Sequence, residues 1–421
     1  MKKGFLFLFI FVLIAGICFF NPVLKQGFAV GEKKIILKGV ISGKGSPNFL
    51  KGANCVDVSG NYAYVVSYDD NSLSVFDISD PAKPALASSV KVPVYEGKDF
   101  GAFGVFVSGN FAYVYDDGGV LLIYDISDPV GKGPQLTGKL VIGPPEDYKA
   151  ADSRWGGIFV EGIIAYTVDE VSDGLTVIDV SNKTKPAIIG SISGVGAPNY
   201  LDDPCFVTVN NGYAYIASGS DNALTIIDIE IPKKPTFAAV IKGAGKPNHL
   251  EGTNSVFVAG DYAYVTAYDE AALSIINISN PLSPTFTGYI SGKGNPNYLE
   301  DAIDVKVVNN YAFVSSVTNN AISVYDVIDP GKPVLVDVIK GSGKPNYLGA
   351  VNILKISGNY LYATSAADNA LVVFDISSFT GGDNKGTIPE TAGTEGQTGT
   401  IDRGGVSILR QWLRIHNPNS I

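Results

Sequence analysis

An all-β ring, a seven-bladed β-propeller with four-stranded blades, is predicted by three observations: a strand motif that recurs seven times, a spacing of about 49 residues, and a first strand that matches one missing from the last unit. The motif alternates along one strand and ends in aspartate or its amide. It reads Leu73-Ser74-Val75-Phe76-Asp77 in the first unit, and its last residue recurs as Asp125, Asp179, Asp228, Asn277, Asp326 and Asp375. The steps between these positions are 48, 54, 49, 49, 49 and 49 residues, a register that chance does not keep.

About thirteen residues before each terminal Asp lies a second strand of aromatic, small, aromatic residues, as in Tyr62-Ala63-Tyr64, Tyr213-Ala214-Tyr215 and Tyr262-Ala263-Tyr264. Residues i and i+2 share a face in a strand, so two rings point one way and the alanine the other. A sheet packed between two neighbours wants that division into a large and a small face. The strand before it ends in a tight turn such as Ser59-Gly60-Asn61, a hairpin signal. After the Asp, Ser79-Asp80-Pro81-Ala82-Lys83-Pro84 and its relatives stop the strand, because proline lacks the ladder donor. A fourth β-rich run follows, as in residues 235–241.

The chain ends choose between a ring and an open solenoid. Residues 34–43 precede the first unit yet read as a fourth strand, while the last unit, 351–377, stops after three. The N-terminal strand is therefore expected to complete the seventh blade, three strands plus one, and remove its exposed edge. A solenoid would carry capping units, and none is visible.

The Leu-x-Val-x-Asp-x-Ser-x-Pro core preceded by Gly-Asn-Tyr-Ala-Tyr resembles the LVIVD-repeat family over roughly residues 33–377. The resemblance implies propeller-type repeats and a secreted or cell-surface setting in bacteria or archaea. It implies no particular activity.

The 421 residues are 46% hydrophobic and 17% charged, enough for a large core. A net charge of −10 argues against nucleic acid as a partner, since phosphate binding wants a Lys/Arg footprint. Residues 1–29 read as a secretory signal peptide: Lys2 and Lys3, an apolar run from Phe5 to Phe20, then Gly27-Phe28-Ala29 before cleavage. Losing Lys2, Lys3 and Lys25 takes the charge from −10 to −13. An uncleaved membrane anchor is the alternative, although the run is short for a span. Of the cysteines that remain, Cys55 and Cys205 lie three units apart and so are not expected to pair.

Strand alternation gathers two motif sets on one face of the ring. The first is the inter-blade loop Gly-x-Gly-x-Pro-Asn-aromatic-Leu, whose aromatic position holds Phe49, Tyr200, His249, Tyr298 and Tyr347. Its architectural reading is a fixed turn with a ring and a leucine wedged between blades. Its functional reading is a protein- or glycan-binding surface. Blades two and three break the pattern with longer loops, 93–100 and 144–155, and irregular loops on a regular scaffold are where sites are grafted. Tyr200, His249, Tyr298, Tyr347 and Trp155 are accordingly candidate ligand contacts. The second set is acidic turns such as Asp69-Asp70-Asn71, Asp221-Asn222 and Asp368-Asn369. Calcium (Ca) favours such oxygen ligands, but no Asp-x-Asp-x-Asp-Gly loop occurs and short Asp/Asn turns are ordinary hairpin chemistry, so no cofactor is expected.

Near the central channel the aligned positions are Asn54, Phe103, Gly156, Cys205, Asn254, Ile303 and Asn352. Asn54, Asn254 and Asn352 are candidate contacts there, but the mixed ring does not resemble a catalytic site. A lactonase-like propeller hydrolase is the alternative to a binding module. Against it, the ring holds one histidine, His249, in a position held elsewhere by Phe or Tyr, and no nucleophile elbow or metal spacing appears. Carboxylates could still form a His-free acid/base pair, for instance Asp57 or Asp304 at corresponding inner-strand positions, although both fit the ordinary strand pattern. A non-catalytic interaction scaffold is the preferred reading. Beyond it, residues 378–405 have linker composition, and 406–421 form a short amphipathic segment with Ile408, Leu409, Trp412 and Leu413 on one helical face. Membrane contact is expected only through that segment or an uncleaved signal.

Overall fold

A computed structural model describes residues 33–93, 101–142, 157–170 and 172–381; the expected signal peptide, Trp155, most of the linker and the amphipathic tail lie outside them. Within these residues the chain forms seven four-stranded sheets. In the first, Ala53–Ser59, Tyr62–Ser67, Ser72–Asp77 and Ala85–Lys91 follow one another antiparallel from the axis outward. The recurring Asp ends each third strand, and its carboxylate turns back to the chain: Asp77 Oδ1 accepts the Ser79 N–H at 2.8 Å. This caps the strand where the proline turn begins.

The innermost strand of each sheet lies beside those of its two neighbours, the first against the seventh included. Seven apolar clusters fill the spaces between blades, each drawn from two adjacent sheets. The alternating pattern explains them. On the second strand Ala63 and Val65 face one cluster while Tyr64 and Val66 face another. Because both faces of every sheet are covered, Leu73, Val75 and Phe76 are all fully buried.

In the seventh sheet the order is Ile36–Ser42, Ala370–Asp375, Tyr360–Ser365, Val351–Ser357, so the chain's first strand pairs antiparallel with its last. The ordered fold also runs past the boundary expected at 377. Residues Ser377–Thr380 make one helical turn that buries Phe379 edge-on against Tyr311 and Phe313, at 5.1 and 5.3 Å between ring centres.

The outermost strands carry a bulge in the middle. At four of them a glycine beside the bulge lets the next blade's turn approach: a Cβ at Gly190 would sit 2.4 Å from the Pro232 carbonyl oxygen, and one at Gly39 would sit 2.3 Å from that of Pro81. At these four seams the proline turn of one blade is thus a contact by which it rests on the one before.

Candidate functional site: the loop-bearing face

Each Pro-Asn-aromatic loop leads from the outermost strand of one blade to the innermost strand of the next, as 43–52 does between Ile36–Ser42 and Ala53–Ser59. Gly45 turns at φ +57°, and the Ser46–Pro47 peptide is cis, as are its four counterparts. The following asparagine then closes the loop on itself. Asn48 Nδ2 donates to the Ser42 carbonyl at 2.9 Å, and Asn199, Asn248, Asn297 and Asn346 repeat the bond at 2.7–2.8 Å. The leucine that ends the motif is fully buried in all five blades (Leu50, Leu201, Leu250, Leu299 and Leu348).

The acidic turns are wired to these loops. Asp70 Oδ2 accepts the N–H groups of Gly45 at 2.9 Å and Lys51 at 2.8 Å. Asp221 does the same for Gly196 and Asp202, Glu270 for Gly245 and Glu251, and Asp368 for Gly343 and Gly349. Asn319 supplies the amide equivalent to Glu300 at 2.9 Å. The neighbouring turn residue reaches the next blade: Asn222 Oδ1 takes the Gly252 N–H and Asn320 Oδ1 that of Ala350, both at 2.8 Å. An ionised carboxylate taking two backbone N–H groups is a strong lock. In each of these turns one carboxylate oxygen is committed to the backbone, and among the described residues no group of three or more His, Cys, Asp or Glu is gathered that could hold a metal ion.

The aromatic side chains stand half-buried or buried along the same loops. Lys242 Nζ lies 4.1 Å from the Tyr200 ring centre, and Lys340 Nζ lies 4.1 Å from that of Tyr298. His249 is buried, stacks on Tyr289 at 3.6 Å, and places Nδ1 2.5 Å from Glu270 Oε1. Tyr347 packs into the cluster between the sixth and seventh blades. These rings meet the next outer strand with one face, as the architectural reading expects. The loop tips are what stand exposed: Lys44, Lys246, Lys293 and Lys344, with Val195 in their place on the fourth blade, beside Pro47, Pro198, Pro247, Pro296 and Pro345. Sequence reading passed over these lysines because their position slips between the second and fourth residue of the motif.

Around the axis, Asn54, Asn254 and Asn352 are all buried, and two of them join blades. Asn352 Nδ2 donates to Asn54 Oδ1, and Asn54 Nδ2 donates to the Phe103 carbonyl at 2.9 Å. Asp57 and Asp304 are not equivalent, contrary to the expectation. Asp57 pairs with Tyr64, whereas Lys306 occupies that register opposite Phe313, which puts Asp304 two residues earlier. Both carboxylates staple adjacent inner strands. Asp57 accepts the Val107 N–H at 2.7 Å and faces Lys355 Nζ at 2.6 Å. Asp304 takes Lys306 Nζ at 2.7 Å, the Ser255 hydroxyl at 2.9 Å and the Leu354 N–H at 2.9 Å.

The wiring differs at blades two to four; nearly all of the two longer loops, 93–100 and 144–155, lies outside the described residues. Tyr68 and Tyr115 donate across blade seams to Asp117 and Asp169 at 2.7 and 2.6 Å. Burial pushes the Asp116 carboxyl up to about 7, against the lowering effect of its bonds from the Val120 and Gly118 N–H groups. Burial also raises Asp203. Cys55 and Cys205 are both free; burial raises the first thiol to about 12 and the second well above its ordinary value. Neither is poised as a thiolate.

Fold and face together define a seven-bladed β-propeller whose inter-blade loops are cross-braced to its acidic turns. The family model for the LVIVD repeat matches residues 52–92, 101–131, 156–193, 203–240, 252–291, 300–339 and 349–380, and the chain belongs to that family. No curated protein matches the sequence. Among solved structures, BamB from Moraxella catarrhalis is similar at 15% identity and TM-score 0.50, over 82% of this chain and 92% of its own. Raptor from Chaetomium thermophilum gives 10% identity and TM-score 0.60 over 82% of this chain, but the match spans only 29% of Raptor. The RRP9 WD40 repeats give 12% and 0.59 over 81% and 99% of the two chains. At such identities the likeness is one of fold alone.

Proposed function

We propose that this chain is a non-catalytic interaction scaffold, secreted or held at the cell surface, that engages a protein or glycan through its loop-bearing face. The observation that carries the reading is the double lock of Asp70 on Gly45 and Lys51, repeated by Asp221, Glu270 and Asp368 at three further loops. It fixes a broad surface before any partner arrives, which lowers the ordering cost of binding. The exposed tips supply cations and proline rings, a chemistry suited to an acidic protein surface or a charged glycan. Blades two and three, which lack the motif, supply a local departure that gives such a surface specificity.

The commitments of Asp57 and Asp304 favour this reading over a lactonase-like hydrolase. A general acid or base needs a carboxylate able to exchange a proton with substrate, and these two are held by lysines and backbone N–H groups. The extracytoplasmic setting rests on the leader-like residues 1–29 and on the family resemblance.

The test is a screen of residues 30–381 against surface proteins and glycans, repeated with Lys44, Lys246, Lys293 and Lys344 changed to Glu. Retained folding with lost capture is the expected result. Turnover of a lactone or ester panel that disappears in Asp57→Asn or Asp304→Asn would replace the scaffold with the enzyme.

A further inference from the structure

We propose that Asn182 is an acceptor site for an N-linked glycan, an assignment that rests on the extracytoplasmic reading above. The sequence Asn182-Lys183-Thr184 satisfies the Asn-x-Ser/Thr requirement of N-glycosylation. It sits in the proline turn of the third blade, between the strands Gly174–Asp179 and Ala187–Ser193, on the face opposite the binding loops. Asn182 and Thr184 are both exposed.

The local geometry leaves the reacting atom open. Asn182 Oδ1 accepts both the Thr184 N–H at 3.1 Å and the Thr184 hydroxyl at 2.8 Å. The carboxamide is held by its oxygen, and its Nδ2 makes no hydrogen bond to a described residue. Corresponding turns hold Asp80, Asp128, Ile231, Asn280 and Asp329, and Asn280 is followed by proline, so the third blade alone carries the triplet at this position.

A second triplet, Asn277-Ile278-Ser279, makes the same oxygen contacts, with Ser279 N–H at 3.0 Å and its hydroxyl at 2.7 Å. Asn277, however, is a strand residue paired with Tyr262 on one side and Thr285 on the other, and Ile278 is buried. A transferase needs several residues of chain drawn into its own cleft. An exposed turn yields them, while a strand between two others does not. Asn182 is therefore the site in the folded ring, and Asn277 only in the unfolded chain.

The chemistry closes with a polyprenyl diphosphate-linked oligosaccharide as donor. Asn182 Nδ2 forms a bond to the sugar C1, the C1–O bond to the diphosphate breaks, the electron pair leaves with the polyprenyl diphosphate, and one amide proton passes to the transferase's base. A glycan here would stand on the ring's far side and leave the loop face clear.

The folded chain, and the urea-unfolded chain diluted straight into the reaction so that it meets the enzyme before it refolds, are each incubated with an oligosaccharyltransferase and that donor, then mapped by peptide mass. The folded ring should gain the oligosaccharide mass on the Asn182 peptide alone, Asn182→Gln and Thr184→Ala should lose it, and the chain treated before refolding should add it at Asn277 too. A folded ring left bare at Asn182, while the unfolded chain is modified there, overturns the assignment. In protein from the native cell, an N-terminus at Val30 with a bare Asn182 also overturns it. An intact Met1 in the cytosolic fraction overturns instead the export on which the assignment rests.

Discussion

The Asp337 carboxylate accepts the main-chain N–H of Ile35 at 2.7 Å, joining residues 302 positions apart across the seam between the sixth and seventh blades. The corresponding position is Gly39, Gly138, Gly190 or Gly288 in four other blades, where the next blade's turn carbonyl presses against the bulge. The seventh blade has no such turn, because its third strand runs into the helical turn Ser377–Thr380 and its fourth strand comes from the other end of the chain. An acceptor there takes up the N–H of the residue just before the incoming strand. Asp337→Ala strands that donor and should cost about 1–3 kcal/mol, whereas Asp337→Asn keeps an acceptor and should cost less. Urea titrations of the two variants measure the difference.

Deletion of residues 30–43 removes the partner of Ala370–Asp375 and leaves an open edge in the seventh sheet. The truncated chain should melt earlier and aggregate, by calorimetry and light scattering. An unchanged melting curve would mean that the first strand does not hold the ring shut.

The loop locks discriminate acceptor from charge. Asp368→Ala leaves the Gly343 and Gly349 donors unmatched and should destabilise by about 1–3 kcal/mol, while Asp368→Asn should be nearer to the wild type, as Asn319 serves in the sixth blade. Faster hydrogen exchange at Gly343 and Gly349 in the alanine variant alone is the expected local signature.

Much of this architecture was legible. The Asp77-to-Asp375 register counted the blades, and the mismatch between residues 34–43 and 351–377 pointed to where the chain ends meet. The site was less legible because its bonds run between repeats. Asp57 and Asp304 are an exception, since the alignment of Asn54 with Ile303 already sets them two residues apart, the offset seen in their pairings to Tyr64 and Phe313. The acidic turns looked like a separate motif from the loops because Asp70 and Gly45, 25 residues apart, meet only when the sheet has formed. Phe379 falls in a linker by composition, because its glycine-rich surroundings outweigh one ring, although packing decides it.

Asp116 gives the stability a pH dependence of predictable sign. Its folded carboxyl, raised to about 7, binds a proton that the unfolded chain has already released above about pH 4. The folded state therefore holds more protons in that window, and stability falls as pH rises from about 4 to about 7, by at most about 1.4 kcal/mol per pH unit from this group. Asp116→Asn keeps an oxygen for the Gly118 and Val120 N–H groups and should flatten that part of the profile. Urea midpoints at several pH values check it.

The central claim is that partners meet the ring on its loop-bearing face. Lysine cross-linking with mass-spectrometric mapping of a captured complex reads the answer directly, because Lys44, Lys246, Lys293 and Lys344 stand on that face while Lys83, Lys234 and Lys332 stand in the opposite proline turns. Cross-links to the first four, with the others still freely acetylated, are the predicted result. Cross-links confined to Lys83, Lys234 and Lys332 would contradict it.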